Sequence, residues 1–358
     1  MTNAVAERTW AHLDAPTVVA HEPAMTALEL LGAELRRVGY SSAPGPAGRD
    51  REPGAEPGAG PDEGLDEGPE DPLVALARGR TADRRAVEGR LGRHAVDALV
   101  DARAVDGDGD GDTVTARFTI LGAGRVLAVL PRQDPDGGGL VYLGADSFWL
   151  LRRAWTLAAG GRRAVELGTG TGFVAAALAP RYELMLGTDV LPATVAAASM
   201  TFRLNPPSRG ALAGAVADVG HGLAPRSFDL VVANAPWVPR ALPAPDGTPR
   251  VFADGGPTGQ ELPARFIAEG AALLAPGGVA VTQCLDLRYD DGTRPLDALC
   301  ASLREEGCAV HIEAVGPPEV SATLTGRFRR QGAPVTATLV DVVVERPGCG
   351  AVPADPTV

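Results

Sequence analysis

The residues best suited to chemistry begin with a glycine-rich stretch, ELGTGTG, which runs from Glu166 to Gly172 after a short apolar run. Glycines let the backbone turn tightly and approach a ligand closely, and the helix predicted next presents its N-terminus to that ligand. The dinucleotide fingerprint requires a glycine three positions after the second one, where this chain has Phe173. An acid at position 166 would also repel a pyrophosphate. The stretch therefore predicts a ligand-binding turn and disfavours a dehydrogenase.

Two acids and a carboxamide occupy the ends of the strands that follow. Asp189 ends the run YELMLGTD, Asp218 follows GALAGAVA, and Asn234 ends the apolar run FDLVVAN. In open α/β sheets ligands bind at the carboxyl edge of the strands, and an acid after the second strand accepts hydrogen bonds from ribose hydroxyls. We therefore expect these side chains to share one site with the glycine-rich stretch. Strand formation alone does not explain why the fourth strand ends in NAPW.

These features resemble class I S-adenosylmethionine-dependent methyltransferases over roughly residues 140 to 345. The resemblance implies S-adenosylmethionine as the cofactor, with the acid of the glycine-rich stretch near its ammonium group. It also implies that Asp189 holds the ribose and that Asp218 receives the adenine amino group, with a backbone contact from Val219. The expected cofactor-binding residues are Glu166, Gly168, Thr169, Gly170, Gly172, Asp189, Val190, Asp218, Val219 and Asn234.

The ending NAPW is similar to the Asn-Pro-Pro-Tyr motif of methyltransferases that act on planar nitrogens, and the loop GGPTG downstream is similar to their release-factor glutamine branch. A planar nitrogen is a poor nucleophile, so acceptors must hold its protons while it faces the methyl group. The resemblance implies that Asn234 Oδ1 and the Ala235 carbonyl are those acceptors. Pro236 would stiffen the turn, and Trp237 would stack on the planar group. These four are the expected catalytic residues, although Ala235 and Trp237 depart from the usual motif.

The segment LVYLGADSFWLLRRAW occupies the place where the family closes over cofactor and substrate. We expect Tyr142, Asp146 and Ser147, together with Trp237, to bind the substrate. Three further aromatic residues of the segment, Phe148, Trp149 and Trp155, are predicted to pack in the core of a helix. His221 and His311 are expected to be bystanders, because methyl transfer to a neutral nitrogen requires no base.

Short apolar runs alternate with helical patterns from about Gly161 onward, which is typical of βαβ units and a parallel sheet. Five such strands precede two final runs, CAVHIEAVG and VTATLVDVVVERP, which are expected to pair antiparallel at the sheet edge. With the resemblance, the predicted fold class is α/β, with a Rossmann-like seven-stranded methyltransferase sheet in residues 136–358.

Composition divides the residues before this sheet into three parts. We predict a helical segment in residues 1–40 and a disordered, acidic linker rich in Pro and Gly in residues 41–72. Residues 73–135 are predicted to form an accessory α+β domain that is winged-helix-like. The disordered linker would interrupt the N-terminal part, and the accessory domain would shape or cap the pocket.

Three local features are predicted inside the accessory domain. Thr81 is a candidate N-cap, and the runs TVTARFTIL and RVLAVLPR are expected to form a hairpin through Gly122 and Gly124. A calcium loop that starts at Asp106 would need a bidentate Glu where Arg117 stands. We therefore predict a solvated acidic turn there and no metal site.

Composition excludes several classes of chemistry and partner. All 33 basic residues are arginine, so a Schiff-base lysine and a phosphate-loop lysine are absent. The net charge of -12 disfavours a nucleic-acid partner, although the linker alone holds nine acids and two arginines. The four cysteines lack CxxC spacing, which predicts ordinary reduced thiols. No run reaches the roughly 18 apolar residues of a membrane span and no signal pattern opens the chain, so we expect a cytoplasmic protein without a membrane partner.

Several functions stay open at this point. The leading hypothesis is N-methylation of a small molecule, such as a specialised metabolite or an amino-acid-derived amide. A protein glutamine is ranked second as an acceptor. The N-terminal part does not resemble the helical domain that reads release factors, which weakens the case for a protein substrate. Adenine or guanine in nucleic acid is the third, because the chain lacks a basic stripe. A cofactor-binding regulator without turnover is the non-enzyme alternative, and no oligomeric state is predicted.

Overall fold

The computed structural model describes residues 19–40, 70–131, 141–240, 251–330 and 335–348. The N-terminal elements are α1 (Glu22–Arg37), α2 (Pro72–Ala77), β1 (Thr81–Asp83), α3 (Arg84–Leu91), α4 (Arg93–Asp101), β2 (Val105–Gly107), β3 (Thr113–Ala116), β4 (Phe118–Ala123) and β5 (Val126–Pro131). The predicted linker falls almost entirely outside the described residues.

The remaining elements alternate between helix and strand, as the sequence predicts. They are α5 (Ala145–Leu157), β6 (Gly161–Leu167), α6 (Phe173–Leu178), β7 (Tyr182–Asp189), α7 (Pro192–Leu204), β8 (Ala211–Val216), β9 (Phe228–Asn234), α8 (Glu261–Leu273), β10 (Leu274–Tyr289), α9 (Pro295–Glu305), β11 (Ala309–Ala314), α10 (Pro318–Arg330) and β12 (Val335–Glu345). Short 3-10 turns lie at Ala179–Arg181 and Val251–Ala253.

Strands β6 to β12 form one seven-stranded sheet in the order β11-β12-β10-β9-β6-β7-β8. The pairs from β10 through β8 are parallel, whereas β12 runs antiparallel to both of its neighbours. The α/β fold class and its seven-stranded sheet are thus confirmed, and the last two strands do pair antiparallel. Since parallel strands end at the same edge, the ends of β6, β7, β8 and β9 meet there.

The N-terminal elements pack directly on helix α7 of this sheet. Leu28, Leu31 and Leu35 of α1 are fully buried in one apolar cluster with Met200 and Leu204 of α7. At Gly32 the two helices touch so closely that a Cβ atom would lie 2.5 Å from the Leu204 carbonyl oxygen. The same cluster includes residues of α2, α3, α4 and strands β1 to β5. The division of the chain into separate domains stays a prediction.

Two local expectations in this part need correction. Thr81 lies in β1 opposite Thr115, and the N-cap of α3 is Asp83, whose Oδ1 accepts a hydrogen bond from the Ala86 amide at 2.7 Å. The predicted first hairpin strand is two strands, because β3 pairs with β1 and β2 while β4 pairs with β5. The β4–β5 turn is centred on Gly124, which has a φ of 60°, and Gly122 pairs within the strands.

The acidic side chains of the turn between β2 and β3 interact with neighbouring residues of the described part. Asp106 pairs with Arg117, and Asp108 accepts a hydrogen bond from Thr113 Oγ1 at 2.8 Å. Across the described ranges, no group of three or more His, Cys, Asp or Glu side chains is arranged to hold a metal ion.

No helix in the described part is long and apolar enough to cross a membrane. Cys284, Cys300 and Cys308 are free and buried, while Cys349 lies outside the described residues.

Candidate active site

A cavity of about 580 Å³ opens at the carboxyl edge of the sheet. It brings together nearly all of the predicted site residues, although they are spread over some hundred positions of the chain. Those that line it are Tyr142, Asp146, Ser147, Glu166, Gly168, Thr169, Gly170, Asp189, Val190, Asp218, Val219, Asn234, Ala235, Pro236 and Trp237. Its volume is typical of a small-molecule or cofactor site.

The glycine-rich loop turns back over the end of β6 through backbone that favours glycine. Gly168, Gly170 and Gly172 have φ values of 65°, 52° and 76°. A Cβ atom at Gly170 would meet nothing within 4 Å, so this residue keeps the cavity open. Gly172 instead lies behind the loop, where a Cβ atom would come within 2.6 Å of the Phe202 ring. The structure therefore places Gly172 against α7 rather than in the cavity wall.

Glu166 is buried beneath this loop and holds it to helix α6. Its Oε2 accepts hydrogen bonds from Thr169 Oγ1 at 2.7 Å and from the Ala175 amide at 2.8 Å. Burial raises the pKa of this carboxyl to about 8, and the nearby Asp189 adds to the rise. The side chain borders the cavity, where a cationic ligand group would stabilise its ionised form.

Asp189 lies across the loop at the end of β7. Its carboxyl accepts hydrogen bonds from the Gly170 amide at 3.3 Å and the Leu191 amide at 3.1 Å. Burial raises its pKa to about 6. The next residue, Val190, is 56% exposed and lines the cavity.

Asp218 and Val219 follow β8 on the same edge. The Asp218 side chain is more than half exposed and pairs with Arg265 at 3.2 Å. Val219 is buried, and its backbone has a φ of 56°, a left-handed conformation that costs a β-branched residue energy. Both residues line the cavity.

Asn234 ends β9 and is hydrogen-bonded to a residue of the upstream segment. Its Nδ2 donates to Asp146 Oδ2 at 3.2 Å. The Ala235 amide donates to the Gln283 carbonyl of β10 at 3.2 Å, which holds the chain to the sheet beyond the end of the strand. Trp237 is partly buried and packs against an apolar cluster formed by β10, α10 and β12.

The upstream segment lines the cavity with Tyr142, Asp146 and Ser147. Asp146 is buried in the first turn of α5, where burial raises its pKa and hydrogen bonds from Asn234, Ser147 and Tyr142 oppose that rise. The Tyr142 ring stacks on Phe252 with centroids 5.4 Å apart and planes 6° from parallel. The segment thus contributes both a polar and an aromatic wall.

One aromatic residue of this segment is placed differently from the prediction. Phe148 packs against Phe173 with ring centroids 4.9 Å apart. Trp149 lines the cavity and packs against Gly316. Trp155, however, is 49% exposed and lies under the guanidinium of Arg181, 4.8 Å from its ring centroid. The prediction of a core position for Trp155 is wrong, because the helix surface that carries it faces solvent.

Sequence reasoning missed one wall of the cavity. Helix α10 and the turn at Val251–Ala253 contribute Val320, Leu324, Arg327 and Phe252. The sequence contains signals for α10, because Pro317 precedes it, Pro318 is its first residue, and Leu324 and Phe328 are spaced one helical turn apart. His221 and His311 do not line this cavity.

No family model matches the chain. Over 139 residues the chain is 37% identical to the release factor glutamine methyltransferase of Moorella thermoacetica, which corresponds to 36% of this chain and 46% of that protein. The resemblance predicted from the sequence motifs is confirmed. The matched region covers 46% of this relative, so the chain spans less than half of its length.

Two of the similar solved structures match this chain at low sequence identity. One is M. jannaschii TYW2 in complex with AdoMet, with a TM-score of 0.41 and 13% identity over 65% of this chain and 90% of that chain. The other is the ribosomal protein L11 methylase from Lactobacillus delbrueckii subsp. bulgaricus, with a TM-score of 0.37 and 16% identity over 57% and 80% of the two chains.

Proposed function

We propose that this protein is an S-adenosylmethionine-dependent methyltransferase that acts on a nitrogen of a small molecule. The observation that carries the proposal is that one cavity holds the glycine-rich loop, the two strand-end acids and Asn234 together. S-adenosylmethionine, when bound, would supply the electrophilic methyl group. The 37% identity to a methyltransferase supports the reaction class.

The cofactor side of the cavity suits a cationic ligand with ribose hydroxyls. Glu166 and Asp189 are acids beside the loop, and Asp218 is a third acid further along the edge. Ionised acids at this edge would repel a pyrophosphate, and an ammonium or sulfonium charge would in turn favour ionisation of Glu166. Asp189 would accept hydrogen bonds from the ribose, and the backbone at Val219 would pack beside the base.

The acceptor side presents hydrogen-bond acceptors next to an aromatic surface. Asn234 Nδ2 donates to Asp146, so its Oδ1 is left to accept an N–H group of the substrate. The Ala235 carbonyl would accept a hydrogen bond from the second N–H, and Trp237 would stack on the planar group. Holding both protons would direct the nitrogen lone pair toward the methyl group.

The small-molecule acceptor is supported by the wall that sequence reasoning missed. Leu324 and Val320 of α10, with Trp149 and Phe252, place apolar side chains around the acceptor end. Such a lining suits a compact, apolar or aromatic acceptor. A protein glutamine is the second candidate, favoured by the identity of the curated relative.

Calorimetric titration tests the cofactor. We expect S-adenosylmethionine to bind and NAD not to bind; the reverse result would refute the cofactor assignment. Transfer of a radiolabelled methyl group is then measured with a panel of aromatic primary amides and amines and, separately, with an intact release factor. Labelling of the small acceptors supports the proposal, and labelling of the release factor alone replaces it with the second candidate.

Asn234→Ala is the matched variant for this assay. It should abolish transfer while the affinity for S-adenosylmethionine stays within a few-fold of wild type. Unchanged turnover in Asn234→Ala would refute the role of its carboxamide.

A further inference from the structure

The contact between Asp146 and Asn234 joins residues 88 positions apart at the reacting end of the cavity. Asp146 is only 9% exposed. One of its oxygens, Oδ1, accepts from the Ser147 amide at 2.8 Å, and the other, Oδ2, accepts from Asn234 Nδ2 at 3.2 Å. The Tyr142 side chain also hydrogen-bonds to this carboxyl. Asp146 is therefore held in place from its own helix and from the preceding turn.

Both oxygens of Asp146 accept hydrogen bonds here, so this carboxyl determines which end of the neighbouring carboxamide faces it. Beside Asp146, the nitrogen of Asn234 must face the carboxylate, and Oδ1 must face away from it. Without that contact, the carboxamide can turn over and present its NH₂ group to the substrate. An NH₂ group cannot accept a hydrogen bond from an N–H of the substrate.

We propose that Asp146 is a positioning residue that orients the Asn234 carboxamide so that its Oδ1 accepts an N–H group of the substrate. The effect of Asp146 on methyl transfer rests on the proposed function. The orientation of the Asn234 carboxamide does not, because it depends on the protein alone. It also specifies the acceptor class, because a site oriented this way selects a nitrogen that still carries a proton.

A second buried pair under helix α5 supplies a matched control. Gln283 Nε2 donates to Asp341 Oδ1 at 3.2 Å, and both side chains are almost fully buried. This pair joins β10 to β12. Gln283 is the sheet neighbour of Asn234, but among the described residues neither side chain of the pair hydrogen-bonds to the Asn234 carboxamide. Asp341→Asn therefore removes a buried carboxylate of the same kind without touching the proposed orientation.

Asp146→Asn is the informative variant because it keeps the shape and changes only the donor and acceptor pattern. Its single carbonyl oxygen accepts from the Ser147 amide, so its NH₂ group faces Asn234. The NH₂ group introduced at position 146 then faces the NH₂ group of Asn234, and neither can accept a hydrogen bond from the other. We therefore expect the Asn234 carboxamide to rotate by about 180°, so that its Oδ1 accepts from the new NH₂ group.

The orientation is measured without any reaction, because the full chain contains three asparagines, Asn3, Asn205 and Asn234. A ¹⁵N-asparagine-labelled sample gives three carboxamide signal pairs, which Asn234→Ser and Asn3→Ser assign. Asn205 is an internal reference, since its Nδ2 donates to the Leu127 and Thr201 carbonyls at 2.7 and 2.6 Å. In Asp146→Asn we expect the Asn234 pair to shift and lose its hydrogen-bonded proton position, while the Asn205 pair stays unchanged.

Methyl transfer supplies the second readout. Asp146→Asn should lower kcat by about a hundred-fold, comparable to the loss of one preorganised hydrogen bond at a reacting atom, while the affinity for S-adenosylmethionine stays unchanged. Asp341→Asn should alter neither the Asn234 signals nor kcat. A merely structural role for Asp146 would instead move the Asn205 signals and the cofactor affinity as well.

Three results would overturn the proposal: an unmoved Asn234 pair in Asp146→Asn, an equal shift in Asp341→Asn, or a shift without any fall in kcat. If the wild-type protein transfers no methyl group, the proposed function fails by itself. The carboxamide spectrum then still decides whether Asp146 orients Asn234, so the two failures are distinguishable.

Discussion

The substitution Glu166→Gln tests how burial controls the charge beneath the glycine-rich loop. Burial raises the pKa of Glu166 from 4.5 to about 8 in the folded protein. The folded state therefore keeps this proton up to about pH 8, while the unfolded chain loses it near pH 4.5. Raising the pH between these values favours the unfolded state, so this group's contribution to stability falls across that window and is constant above it.

The magnitude follows from the same two values. Each pH unit in the window corresponds to about 1.4 kcal/mol, so the loss has a ceiling of about 5 kcal/mol. Gln is isosteric with the protonated acid, and its Oε1 can accept the bonds from Thr169 and Ala175. Asp146 and Asp341 also have raised pKa values, but they are present in both proteins and largely cancel in the difference.

The assay is urea unfolding of the wild type and of Glu166→Gln without added ligand, at about pH 5 and about pH 9. We expect the free energy of unfolding of the wild type, relative to that of Glu166→Gln, to fall by several kcal/mol between these pH values. A relative change below about 1 kcal/mol, or one of opposite sign, would refute the assignment of a proton to buried Glu166.

The remaining predictions concern packing and the two sides of the cavity. Gly32→Ala should lower the free energy of unfolding by about 1–3 kcal/mol, because its Cβ atom would lie 2.5 Å from the Leu204 carbonyl oxygen. If urea unfolding gave the variant and the wild type the same stability, this close packing would be contradicted. The matched control Gly89→Ala, with nothing within 4 Å of its Cβ atom, should instead stabilise the helix by about 0.5–1 kcal/mol. Gly168→Ala, at a φ of 65°, should weaken S-adenosylmethionine binding about ten-fold or more in calorimetry, and unchanged affinity would argue against this loop as the cofactor contact. Leu324→Ala should raise the KM of a small acceptor while the cofactor affinity stays constant, and an unchanged KM would remove α10 from the acceptor site.

The alternation of strands and helices was predictable because it depends on local periodicity. Buried parallel strands such as β9 appear as continuous apolar runs, and their order along the chain indicates βαβ units. The acids Asp189 and Asp218 and the carboxamide Asn234 could be assigned to one edge, since every parallel strand ends there. Thr81 shows the limit of such reasoning, because its pairing with Thr115 across 34 residues overrides a local capping preference.

The sequence by itself determined the βαβ order, the glycine-rich turn and the group of strand-end residues that the cavity brings together. These depend on periodicity, on backbone freedom at glycine and on the common edge of parallel strands. Only the tertiary structure decided that α10 and Phe252 wall the acceptor end, that Trp155 faces solvent, and that Asp146 lies 3.2 Å from Asn234. These outcomes depend on contacts between segments far apart in the chain, and no local pattern specifies which distant surface a side chain will meet.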